Sequence, residues 1–151
     1  MFKDIAGHFT TFHKNVLGLE MLAGGENKWI ANKPMVQLNL DKIAHLFFLP
    51  NKVTRSDGTV FYEVGCLINN AFHFIIFLIG PPEAAKNFSC SVSVTTNDGE
   101  KHIYHGKVHT LDEKKEDIIV SESCFKIGNN VVKRSLDAMK KLNIEFSISR
   151  K

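Results

Sequence analysis

The stretch FHFIIFLIGPPEAAKNFSCSVSV, residues 72–94, changes character twice. A solid apolar run stops at Gly80, Pro81 and Pro82. Glu83, Ala84, Ala85 and Lys86 follow, a helix-friendly corner. Then Phe88, Cys90 and Val92 alternate with Ser89, Ser91 and Ser93. A short continuous apolar run reads as a strand buried on both faces, and strict alternation reads as a half-buried strand. Proline has no N–H to give to a ladder, so the two prolines end the first strand. Together these features predict a two-sheet sandwich that leaves one surface free to bind something.

Working outward, the same grammar repeats. Asn69 and Asn70 separate the apolar run from a preceding strand at 60–68. Asp57-Gly58 and Asp98-Gly99 lie between strand-like segments, and such dipeptides tolerate the positive φ of hairpin turns. Residues 101–108 form the returning strand of the second hairpin. Residues 35–40 alternate, with Val36, Leu38 and Leu40 on one side and Met35, Gln37 and Asn39 on the other. Residues 16–22, 44–49, 118–120 and 124–127 are further strand-length pieces, and 28–31 is a short candidate closed by Pro34. Residues 109–116 are charged and read as a loop. Helical spacing is confined to two places. Phe2, Ile5, Phe9 and Phe12 mark a short helix over 2–15, and Val131, Val132, Leu136 and Met139 mark another over 130–141. The last strand alternates Leu142, Ile144, Phe146 and Ile148 with polar residues. Many short strands with turn signals predict an all-β antiparallel sandwich with a short N-terminal helix and one short helix before the last strand.

A chain of 151 residues suggests one domain with a sizeable core. The net charge of +3 is mild, and the basic residues form no dense cluster. That argues against a nucleic-acid binder, which carries its basic residues on one face or stripe. No segment reaches the length of a membrane span. Three scattered cysteines, Cys66, Cys90 and Cys124, read as buried free thiols of a reducing compartment, cytoplasmic or nuclear.

Catalytic motifs are missing from the sequence: there is no phosphate loop, nucleophile elbow or His-Glu-x-x-His. His102, His105 and His109 lack a Cys or carboxylate at ligand spacing and read as surface histidines. Asp112, Glu113, Glu116 and Asp117 sit in a charged loop and read as solvent-facing. His8 and His13 have the spacing of the second half of a Cys-Cys-His-His zinc pattern, without its cysteines. They are either ordinary surface residues or the end of a zinc finger. Trp29, the sole tryptophan, fits a core position or a binding anchor equally well.

Residues 72–94 also resemble the hallmark of the seven-in-absentia (SINA/SIAH-type) ubiquitin ligases, through Leu78-Ile79-Gly80, then Ala85, then Asn87-Phe88. A weaker likeness extends over 35–150, including Ser121 to Cys124 and the closing Leu142-Asn143-Ile144. The resemblance implies a C-terminal substrate-binding domain of the TRAF-like type over 16–151. It implies a zinc-finger remnant over 1–15, with His8 and His13 as the last two ligands of a Zn²⁺ site in the parent protein. The family's catalytic RING has no counterpart here, so no ligase activity is expected of this chain alone. A homodimer is implied, as is binding of protein partners as an added strand. Trp29, Met35 and Gln37 are the candidate peptide-binding residues. The alternative is a TRAF-like adaptor without ubiquitin chemistry. A weaker third reading is a small enzyme using one of the cysteines.

Overall fold

The computed structural model describes residues 22–25, 27–36, 38–43 and 45–151. Among the described residues eleven strands form two sheets. The first sheet holds β1 (Leu22–Gly25), β2 (Lys28–Pro34), β11 (Lys141–Arg150), β7 (Phe88–Thr95) and β8 (Lys101–Lys107), in that spatial order. The second runs β10 (Phe125–Gly128), β6 (Ala71–Ile79), β5 (Val60–Ile68) and β3 (His45–Phe47). There β4 (Asn51–Thr54) also pairs with β5, and β9 (His109–Thr110) pairs with β6. Every pairing is antiparallel except β6 with β9. The chain is an all-β sandwich with short helices. The expected N-terminal helix, with His8 and His13, lies outside the described residues.

The turn chemistry explains the register. Asn69 and Asn70 both hold positive φ, 52° and 66°, the two-residue turn whose twist matches flanking strands. It pins β5 to β6 over nine consecutive pairs, from Val60↔Ile79 to Ile68↔Ala71. Gly58 and Gly99 sit at φ 87° and 93°, as the two Asp-Gly signals require. After β6, Pro82–Asn87 forms a 3-10 turn, and Ala85 is buried beneath it.

The core lies between the sheets. Leu142, Ile144, Phe146 and Ile148 of β11 and Phe88, Cys90, Val92 and Val94 of β7 face Phe61, Leu67, Phe72, Phe74, Ile76 and Leu78. A second apolar cluster, formed by Val64, Ile75 and Phe77 with Ile118 and Cys124, covers the outer face of the second sheet. That cover comes from the loop after β9 and helix α1 (Lys115–Val120). This is why β5 and β6 are buried on both faces while β7 leaves Ser89 and Ser91 half-exposed, with Ser93 alone of its serines buried.

Three expectations need correcting. Residues 118–120 end a helix instead of forming a strand. The helix expected over 130–141 is α2 (Asn129–Ser135) and stops early. Leu136 already bridges to Leu142, and Met139 is 71% exposed in the turn that follows. Residues 35, 36 and 38–40 form no strand, because Pro34 closes β2 and Met35 turns into the core.

One feature of the interior is ionic. Lys33 of β2 and Glu63 of β5 meet between the sheets, Nζ to Oε1 at 2.5 Å, with side chains 2% and 0% exposed. Asn51 donates to the same carboxylate oxygen at 2.6 Å, and Oε2 has no partner. Gly65 makes room for this arrangement. A Cβ there would lie 3.2 Å from Lys33 Cε and 3.1 Å from the Phe72 ring.

His73, on the opposite face of β6, is 3% exposed and its Nδ1 has no partner. Burial lowers its pKa below the ordinary 6.5, nearby Lys126 lowers it too, and a bond to the Ile68 backbone only partly opposes them. The unfolded chain therefore binds a proton that the folded chain refuses. Stability is full above about 6.5 and falls as pH drops toward the depressed folded value. Urea unfolding at pH 7 and pH 5 should show this loss, and His73→Leu should flatten it.

Candidate functional site

Among the described residues strand β8 ends the first sheet and has a strand partner only in β7. Its sequence KHIYHGK alternates in exposure along its whole length. The register with β7 sets His102, Tyr104 and Gly106 opposite the inward Val94, Val92 and Cys90. Lys101, Ile103, His105 and Lys107 stand on the outer face, and Ile103 is 55% exposed. Gly106 has a specific reason to be glycine: the Tyr104 hydroxyl lies where its Cβ would be. Beside β8 a cleft of about 510 Å³ opens toward β10, the end strand of the second sheet. Its walls are Lys101, His102, Ile103 and Tyr104 on one side and Glu122, Cys124, Phe125 and Lys126 on the other. A sheet edge next to a side-chain cleft is the geometry that strand addition uses.

The thiols offer no nucleophile. Burial pushes Cys66 and Cys90 up to about 12 and Cys124 up to about 11. A thiol held so high is almost wholly un-ionised at neutral pH, and only the thiolate reacts. Native protein should therefore label with a disulfide reagent only as fast as it unfolds, whereas denatured protein should label all three thiols at once. Rapid native labelling of any one would show an exposed reactive thiol.

The histidines divide. His105 is exposed on β8, and His102 Nε2 meets Glu100 at 2.6 Å. His109 corrects the surface reading: it is 1% exposed. Its Nδ1 meets Glu113 at 3.0 Å and its Nε2 meets the Ser123 carbonyl oxygen at 2.5 Å. It thus fastens both ends of the loop that carries α1. Glu113 also accepts from Thr110 N–H at 2.7 Å, so this carboxylate is structural. Among the described residues no three His, Cys, Asp or Glu side chains converge as metal ligands. No helix among them is long and apolar enough to cross a membrane.

Comparison with known proteins gives no match, either to a family model or to a curated sequence.

Two of the three residues expected to form a peptide groove are among the described residues. Trp29 is half-buried, its ring stacked on Phe146 with centroids 5.5 Å apart. It also borders a shallow groove of about 340 Å³ on the outer face of the first sheet, with Lys28, Ile30, Ser93 and Glu145. Met35 is 3% exposed and packs in the core, away from any partner's reach. Gln37 lies outside the described residues. The β8 edge was missed because the sequence marks 101–108 as a strand but carries no direct signal of strand order. The lysines at both ends of KHIYHGK are the one hint, since edge strands favour charge.

Proposed function

We propose that this chain is a peptide-recognition and dimerisation module, binding an extended segment of a partner protein as an added strand. The observation that carries the reading is β8: seven residues long, last in its sheet, with a cleft at its side. Backbone hydrogen bonds to β8 would supply affinity, and the cleft would read alternate side chains. Among the described residues the three thiols are buried and no metal-binding cluster forms.

The resemblance at 72–94 supports reading it as the substrate-binding domain of a seven-in-absentia-like ubiquitin ligase of TRAF-like type. In that setting a zinc finger carrying His8 and His13 precedes the sandwich, and the parent protein acts in protein degradation. The alternative is a TRAF-like adaptor that links partners without ubiquitin chemistry. A RING pattern of cysteines and histidines encoded ahead of Met1 favours the ligase, and its absence the adaptor. A second seat for the peptide is the groove that Trp29 borders on the outer face of the first sheet.

Amide hydrogen exchange separates the two seats. Partner segments captured from a cell extract should slow exchange at 101–107 if β8 is the docking edge. Slowing confined to 28–30 and 145–147 would place the peptide beside Trp29 instead. Partner segments that alter neither region would refute the module.

A further inference from the structure

Strand β8 carries Lys101, His102, His105 and Lys107 and no carboxylate. Nearby acids are mostly engaged. Glu100 is held by His102 at 2.6 Å and Arg134 at 3.5 Å, and Glu113 lies 3.9 Å from Lys107 while bonding His109. Among the described residues Lys101 has no carboxylate partner. Lys126 stands across the cleft, with Glu122 at 3.9 Å. The docking edge is thus basic at both ends and apolar in the middle, where Ile103 stands outward and Tyr104 faces the core.

This pattern argues against a second copy as the occupant. Antiparallel self-pairing over all seven residues would be centred on Tyr104. It would set Lys101 opposite Lys107 at both ends, and like charges directly opposed destabilise a strand pair. The same positions favour carboxylates on an incoming strand.

Resting on strand addition at β8, we infer that the occupant is an acidic-ended, apolar-centred segment of another protein. It runs antiparallel to β8 over seven residues. Its first and seventh residues are Asp or Glu, opposite Lys107 and Lys101. Its fourth and fifth are apolar: the fourth, opposite Tyr104, enters the cleft against Phe125, and the fifth covers Ile103.

The probe is the peptide Glu-Thr-Thr-Val-Val-Thr-Glu, compared with versions carrying Gln or Lys at both ends, titrated against the full chain at low and high salt. The Glu peptide should bind about ten-fold more tightly than the Gln peptide at low salt. That advantage should shrink as salt screens the charges. In the doubly substituted Lys101→Glu/Lys107→Glu chain the preference should pass to the Lys peptide. Both sites are on the exposed face of an end strand, and circular dichroism checks that the variant keeps its fold. Equal binding of Glu and Gln peptides overturns the charge inference and leaves strand addition standing. If no peptide binds but captured partners still protect 101–107, the inference falls alone. If captured partners leave 101–107 unprotected as well, strand addition at β8 falls with it.

Discussion

Glu63→Ala is expected to destabilise the protein by about 3–5 kcal/mol, because it strands the Lys33 ammonium between two sheets. Both side chains are out of water, and the lysine's ion-pair partner is that carboxylate. The loss is the cost of an uncompensated buried charge together with a void. Lys33→Met should cost a similar amount for the mirror reason, leaving a buried carboxylate whose Oε2 already lacks a partner. The pair itself is a different quantity. Desolvating two ions offsets most of their attraction, so an apolar or neutral replacement of both is often tolerated. The double variant Lys33→Met/Glu63→Gln keeps an acceptor for Asn51 and should fall within about 1 kcal/mol of the original. Urea unfolding of the two singles and the double closes the cycle. Additive losses in the double would mean that the two groups do not act as a pair.

Phe146→Ala is expected to cost about 3–5 kcal/mol, the range for deleting a buried aromatic ring. Phe146 is the link in a chain of rings that crosses the core. It stacks on Trp29 at 5.5 Å and meets Phe74 at 5.4 Å across the sheets. Phe74 continues to Phe72 at 6.4 Å, and Phe72 to Phe48 at 6.3 Å. Because Trp29 is the sole tryptophan, its fluorescence reports the damage directly. Its emission should shift toward the red as water reaches the ring, and the unfolding midpoint should fall by roughly 10 °C. Phe47→Ala is the contrast. That ring is 38% exposed beside Lys115, and its loss should cost about 1 kcal/mol or less. Equal losses at the two sites would deny Phe146 its central place.

The sandwich was legible because local rules and the global fold agree over 60–108. Alternation, two prolines and three hairpin signals mark β5 to β8 nearly residue for residue. Legibility failed where tertiary packing overrode local pattern. The short piece expected over 28–31 runs on through Asn32 and Lys33 in β2, because Lys33 finds its countercharge thirty residues away. Ile118 to Val120 look like a strand, but here they form the last turn of α1, the cover laid over the second sheet. Met35 alternates like a surface strand residue and ends in the core once Pro34 closes β2. For the candidate site, the sequence supplied the chemistry of KHIYHGK. It could not say which strand stands last in its sheet, since neighbours in space are set by long-range pairing.

The position of β11 carries a consequence for biosynthesis. It follows every other strand in the chain, yet lies between β2 and β7 in the middle of the first sheet. While the ribosome is still elongating, β2 and β7 have no bridge between them, and their apolar faces wait for Leu142, Ile144, Phe146 and Ile148. A premature stop before codon 141 would cut β1 and β2 off from β7 and β8 and would consign the nascent product to chaperones and proteolysis instead of yielding a shortened, working domain.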